Sequence, residues 1–312
     1  AAAVSAGLAP AAQGSDGGGS IRIPASVCGL FGIKPTRGRI SQGPLMPDLV
    51  GLSTDGPLAR TVADAALLLD AMTGNHPGDM YTLPPLPAGE SFLGYASREP
   101  GRLRIARSLT TLIGGAEVHP DCVAAYEDVS TLLTSLGHDV EDVDLPFPVE
   151  AVPSFLALWY SMATLAPIAP DQEAELLPLT RYLRAKGMAL SAADLLLHQG
   201  ILQASVRVAL RALTGYDAIL SPTLALPPRP VGWFDEVEPE VNFIRQTQFT
   251  PWTALYNLSG QPAVSVPLYW TDGGLPIGIM LAGQMGAEGT LISLSAQLEA
   301  ARPWQDRHPP IW

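Results

Sequence analysis

Ser20 follows three consecutive glycines, Gly17, Gly18 and Gly19, and precedes Ile-Arg-Ile-Pro. Glycine admits backbone geometries closed to other residues and lets a ligand approach the main chain. Successive N–H groups facing one concavity are the donors that a developing oxyanion requires. The arrangement makes Ser20 a candidate acyl-transfer nucleophile, with Gly17, Gly18 and Gly19 as its oxyanion loop. Asp16 and Arg22 flank the serine where they can pair across the loop and brace it. The bland alternative is a flexible Gly/Ser linker. Against it stand Ile21, Ile23, Val27, Leu30, Phe31 and Ile33, a run too apolar for a solvated linker. The loop is therefore expected to be clamped inside a core.

Other chemistries fit less well. A Ser–His–Asp hydrolase needs a histidine that reaches the serine. His76 and His308 lie beside prolines, His119 precedes a helix start, His138 follows a helix stop, and His198 reads as a packed mid-helix residue. No GxSxG elbow is present. The glycines lack the Lys-Ser/Thr that completes a phosphate-binding P-loop, and no His/Cys/Asp set has metal-ligand spacing. No metal or cofactor is expected. The two lysines are Lys34, in a Lys-Pro-Thr-Arg-Gly turn, and Lys186, at a helix end. Lys34 reads as structural rather than as a general base.

The stretch GSDGGGSIRIPASVCGLFGIKPTRGRIS (14–41) resembles the second half of the amidase signature, G-[ST]-D-x-G-G-S-[IV]-R-x-P-[AS] followed by G-x-x-G-x-K-P-[ST]-x-G-R. GPLARTVADAALLLDAMTG (56–74), Asn-Leu-Ser-Gly-Gln-Pro-Ala (257–263) and Gly-Leu-Pro-Ile-Gly (274–278) extend the resemblance over most of the chain. It implies carboxamide hydrolysis by a Ser–Ser–Lys triad, with an acyl-enzyme on Ser20 and Asp16 and Arg22 as structural support. A sharper alternative makes Asp16 a general acid. By the same resemblance, the bridging serine and the lysine lie upstream of Ala1. The 312 residues are then an amidase domain without its N-terminal portion, expected to be inactive alone and to leave an apolar patch exposed. Ile23-Pro-Ala and Lys34-Pro-Thr-Arg-Gly-Arg-Ile-Ser-Gln disfavour a tRNA-dependent amidotransferase subunit. Pro24-Ala-Ser-Val-Cys-Gly and Lys34-Pro-Thr-Arg-Gly-Arg-Ile-Ser-x-Gly-Pro look most like bacterial amidases of the 6-aminohexanoate-cyclic-dimer hydrolase type. A non-catalytic scaffold is the alternative from another class.

Composition agrees with a globular enzyme. The chain is 47% hydrophobic and 15% charged, enough for a sizeable core. A net charge of −12 argues against nucleic acid or an anionic membrane as partner. No apolar run approaches the ~18 residues of a membrane span. Cys28 and Cys122 read as buried free thiols of a reducing, cytoplasmic compartment. The expected partners are a small-molecule amide and, at most, a second copy of the chain.

These functional residues need a scaffold. Residues 1–9 read as a small-residue helix beneath the nucleophile loop. Thr61 and Asp64 open a helix over 62–73, which Gly74 stops. A strand at 103–106, a helix from His119 to Leu136 and a strand at 138–143 form a β-α-β unit. Ser191 and Asp194 cap a helix to Leu213. Strands follow at 217–220, 264–268 and 277–281, then a last helix over 289–300. Leu145–Pro153 and Pro222–Trp233 read as ordered Pro-rich loops. The fold class is α/β: an amidase-signature-like mixed, largely parallel central sheet covered by helices.

Overall fold

The computed structural model describes residues 1–44, 50–145, 147–235 and 237–311. Its strands are β1 (Ala11–Asp16), β2 (Phe31–Lys34), β3 (Thr54–Ala59), β4 (Arg104–Arg107), β5 (Asp139–Asp142), β6 (Ala218–Pro222), β7 (Ala263–Trp270) and β8 (Pro276–Gly283). They form one eight-stranded sheet in the order β1-β3-β2-β7-β8-β6-β4-β5. The helices begin with α1 (Ala2–Ser5), α2 (Arg22–Cys28), α3 (Val62–Met72), α4 (Phe92–Tyr95) and α5 (Pro120–Ser135). They continue with α6 (Val152–Met162), α7 (Pro178–Met188), α8 (Ala192–Ala212), α9 (Pro239–Phe249), α10 (Leu255–Ser259) and α11 (Glu288–Ala301).

Alternate residues of each central strand feed two different cores, as a two-residue side-chain period requires. Ile105, Leu220, Ile279 and Leu281 face a core closed by α3, α5 and α11. Ala106, Ile219, Met280 and Ala282 face the other, closed by α6, α8 and α10. The sheet is therefore mixed and covered by helices on both faces, as expected. Its predominant pairing is not. Five of the seven strand pairs are antiparallel, and only β4 with β5 and β4 with β6 are parallel. The β4–α5–β5 unit is the parallel one that the sequence predicts. Elsewhere β3 inserts between β1 and β2 and runs against both, which turns a crossover into two antiparallel pairs. The β7–β8 hairpin then reverses direction again.

Two further expectations change. The helix expected over 1–9 is one turn, Ala2–Ser5, ended before Gly7 at a φ of 72°. Its Val4 packs with Ile21, Ala25 and Leu30, and Ser5 Oγ donates to the Cys28 carbonyl. Strand β1, Ala-Ala-Gln-Gly-Ser-Asp, has no alternating apolar pattern because it is a sheet edge with few buried side chains. The Pro-rich segment 145–153 holds Ala151 and the start of α6, while its Pro146 lies outside the described residues.

Helix α2 lies directly on the sheet, and glycines permit it. A Cβ on Gly278 of β8 would come within 2.7 Å of Ser26 Oγ, which accepts the Gly278 N–H at 2.9 Å. On the other side of α2, a Cβ on Gly32 would meet the Ala25 methyl at 2.7 Å. Gly278→Val should therefore lift α2 from the sheet and cost about 1–3 kcal/mol of stability. Chemical denaturation of the variant checks this, and a wild-type midpoint would contradict it.

Candidate active site

Strand β1 ends on Asp16, which is fully buried, and the chain then turns through Gly17–Ile21 into α2. The Asp16 carboxylate organises that turn. Its Oδ1 accepts from the Gly19 N–H at 2.7 Å and its Oδ2 from the Ile21 N–H at 3.2 Å. Arg22, also fully buried, grips both oxygens through Nε and NH2 at 2.9 Å each. Such a two-point fork fixes orientation as well as charge.

The remaining donors of Arg22 reach the other end of the chain. NH1 donates to the Thr253 carbonyl at 2.8 Å, and NH2 to Asn257 Oδ1 at 2.7 Å. Asn257 Nδ2 donates in turn to Asp16 Oδ1, the Asp16 carbonyl and the Leu52 carbonyl. Thr253 Oγ1 donates to the Gly18 carbonyl at 2.5 Å. Burial by itself would push the Asp16 carboxyl up, but the charge and hydrogen bonds of Arg22 outweigh it and hold the carboxyl down to about 2. A carboxyl so held is ionised near neutral pH, which speaks against the general-acid reading of Asp16.

Beneath this loop, Lys34 is fully buried and its Nζ donates to the Pro35 carbonyl at 2.9 Å. Burial, then the Arg22 charge, pulls the ammonium from near 10.5 down to about 7, against the opposing pull of Asp16. Beyond it a second buried pair, Arg39 with Glu288, bonds Nε to Oε1 at 3.1 Å and NH2 to Oε2 at 3.2 Å. Glu288 also accepts the Thr36 N–H at 3.0 Å. Burial works against the charged Glu288, yet Arg39 and these bonds hold its carboxyl below the usual range.

Ser20 is exposed, and its hydroxyl makes no hydrogen bond to a described residue. Lys34 turns its amine to Pro35, His198 Nδ1 lies 3.0 Å from Ser154 Oγ, and His138 Nε2 lies 2.8 Å from Gln297. Ser20 and Gly18 together line a cleft of about 350 Å³ whose walls include Phe155 and Trp159 of α6 and Phe243 and Phe249 of α9. Of the three glycines assigned to the oxyanion loop, Gly19 is spoken for: its N–H serves Asp16, and its φ of 135° with no room for a Cβ makes it a fixed corner of the brace. Gly17 and Gly18 donate to no described protein group, and Gly18 faces the cleft.

The structure thus brings together Asp16, Gly17, Gly18, Gly19, Ser20 and Arg22, and leaves Lys34 and Lys186 apart from the serine. It adds Thr253 and Trp159, which carry no local sequence signal, because their roles depend on contacts more than a hundred residues away. Asn257 sits in the Asn-Leu-Ser-Gly-Gln-Pro stretch, so a motif marked it but not its partner. Cys28 and Cys122 are unpaired thiols. Among the described residues no group of three His, Cys, Asp or Glu could hold a metal, and no helix is long and apolar enough to cross a membrane.

Comparison with known proteins agrees on one relationship. A family model described as Amidase matches residues 1–292. A Mycobacterium tuberculosis protein named "Putative amidase AmiB2" is 39% identical over 100% of this chain, and the chain covers 65% of that protein. A 6-aminohexanoate-cyclic-dimer hydrolase of Paenarthrobacter ureafaciens is 36% identical, over 99% of this chain and 66% of its own length. The solved structure of a 6-aminohexanoate cyclic dimer hydrolase superposes with a TM-score of 0.90 at 30% identity, covering 99% of this chain and 68% of that one. The chain thus spans just under two thirds of the length of the curated relatives it matches.

The brace generates two expectations. Arg22→Ala leaves the Asp16 carboxylate buried without its counter-charge and should cost about 3–5 kcal/mol in denaturant unfolding, with Arg22→Lys falling between because it cannot fork. Lys34 gives a pH signature. Between pH 7 and 10.5 the unfolded chain holds a proton on Lys34 that the folded chain has released. The unfolded state thus binds more protons, so stability rises with pH across that window. Lys34→Met should flatten that slope, as read from paired unfolding curves of the variant and wild type. A slope that survives the substitution would refute the assignment.

Proposed function

The chain belongs to the amidase family, and from that premise we propose that it carries the nucleophile of a serine amidohydrolase acting on a small carboxamide. The observation that carries the reading is the shared cleft of Ser20 and Gly18, held by a buried carboxylate–guanidinium pair that does not touch the cleft itself. Ser20 Oγ attacks the carboxamide carbon and its proton is taken up. The carbonyl π pair moves to oxygen, where the N–H groups of Gly17 and Gly18 receive the charge. The C–N bond then breaks as the nitrogen gains a proton, leaving an ester on Ser20 that water hydrolyses.

A serine hydroxyl needs a base for the first step, and no described side chain hydrogen-bonds to Ser20. The Ser–Ser–Lys scheme that the resemblance implies meets that need with a bridging serine and a neutral lysine, which we place outside residues 1–312. A lysine does this work only where burial or nearby positive charge lowers its pKa. Lys34 meets the electrostatic condition, but its Nζ donates to the Pro35 carbonyl and makes no hydrogen bond to Ser20, which supports a structural place for it. The 6-aminohexanoate-cyclic-dimer hydrolases support amide hydrolysis here without deciding the natural amide.

In the full-length protein a fluorophosphonate should label the peptide containing Ser20, and Ser20→Ala should abolish both labelling and amide turnover. Labelling and activity that persist in Ser20→Ala would overturn the proposal. Turnover of no amide by a folded protein whose Ser20 is also unlabelled would favour the scaffold reading. Gly18→Val, whose side chain would displace the loop and turn its N–H from the oxyanion, should lower kcat by about 10²–10³, the usual effect of losing one oxyanion donor. Its Cβ would stand 3.1 Å from the Trp159 ring, crowding the cleft as well. Unchanged kinetics in that variant would mean the glycine serves only as a hinge.

A further inference from the structure

The cleft beside Ser20 has a chemical character of its own. Phe155 and Trp159 stack at 5.8 Å between centroids on one wall, and Phe243 and Phe249 stand on another. No Asp, Glu, Lys, Arg or His lines it among the described residues. Besides Ser20, its polar side chains are Gln246, Thr247 and Thr250. A charged group entering such a space would leave water without a counter-charge to receive it. An aromatic or alkyl group of matching size gains by burial, at about 25 cal/mol for each Å² removed from water.

Trp159 links this wall to the reacting atoms. Its ring covers Gly18 so closely that a Cβ there would sit 3.1 and 3.3 Å from two ring atoms. A carbonyl held at Gly18 thus lies in the same cleft as the indole. Resting on the reading of Ser20 as an amide-cleaving nucleophile, we propose that the substrates are neutral carboxamides bearing a bulky apolar aryl or alkyl arm, with Trp159 the residue that selects the arm. The fixed charges near the loop, Asp16 and Arg22, are consumed by each other behind it and offer nothing to a charged arm.

Three amides of similar reach separate the possibilities: neutral 4-phenylbutyramide, cationic 6-aminohexanamide and anionic adipic acid monoamide. In the full-length protein the phenyl amide should be preferred in kcat/KM by about a hundredfold over either charged one, the worth of a few kcal/mol. Trp159→Ala should lower kcat/KM for the phenyl amide about tenfold. Acetamide, which has no arm, should lose less than the phenyl amide does, and Trp159→Phe should restore most of the phenyl amide's loss. Binding is read separately in Ser20→Ala, where quenching of tryptophan fluorescence should follow 4-phenylbutyramide and not the charged amides. That readout needs no turnover, so it stands even if Ser20 is not the nucleophile. Equal affinity for neutral and charged amides, or a Trp159→Ala protein that treats phenylbutyramide as wild type does, would overturn the proposal.

Discussion

The buried pair of Asp16 and Arg22 is the constraint on which the rest of the site depends. Both side chains are wholly withdrawn from water, so each is tolerable only because the other is there and every remaining polar atom has a partner. Meeting that requirement joins four pieces of backbone: the end of β1, the glycine turn, the first residue of α2 and the segment around α10. The turn cannot shift without breaking hydrogen bonds to Asp16, and Arg22 cannot shift without abandoning Thr253 and Asn257. Ser20 is held at the exposed crest of this assembly while the charges that hold it stay out of reach of any ligand. The loop is braced from behind, and its outer face opens on the cleft.

The same logic extends one layer deeper. Arg39 and Glu288 form a second internal pair, and Lys34 lies under electrostatic influence from both. Of the buried charges around it, Arg22 is paired with Asp16 and Arg39 with Glu288. A protonated Lys34 would add a lone excess charge in a region without water to solvate it. The Lys-Pro-Thr-Arg-Gly-Arg turn therefore works as a charge-matched foundation under the loop.

The cleft is assembled differently. Its floor comes from the loop and α2, but its walls come from α6, α9 and the segment before α10, which are far apart in the chain. Helix packing sets their spacing, and the aromatic residues turned inward by that packing set the chemistry of what can enter. The ionic brace and the apolar cleft meet at two points, Thr253, which bonds to Gly18, and Trp159, whose ring lies over it.

How much of this the sequence carried depends on the range of each interaction. The turn of Gly17, Gly18 and Gly19 before Ser20, flanked by Asp16 and Arg22, is a local device whose partners lie within six residues, so its parts are legible in order. The β4–α5–β5 unit and the capped helices α3 and α8 are legible for the same reason, since caps and periodicity act over one or two turns. Strand β1 was not, because an edge strand of small and polar residues needs no hydrophobic alternation. The antiparallel majority of the sheet was not, because it turns on β3 inserting between β1 and β2, a choice made by packing rather than by either strand's own residues. Nor could the chain order show that Gly19 spends its N–H on Asp16, that Thr253 and Asn257 close the brace, or that Trp159 lies over Gly18. The residues by themselves determined which chemistry was possible, because reactive groups and turn glycines are local. Only the tertiary structure decided which donors stay free and what the serine faces, because burial and charge pairing depend on neighbours that the fold alone brings together.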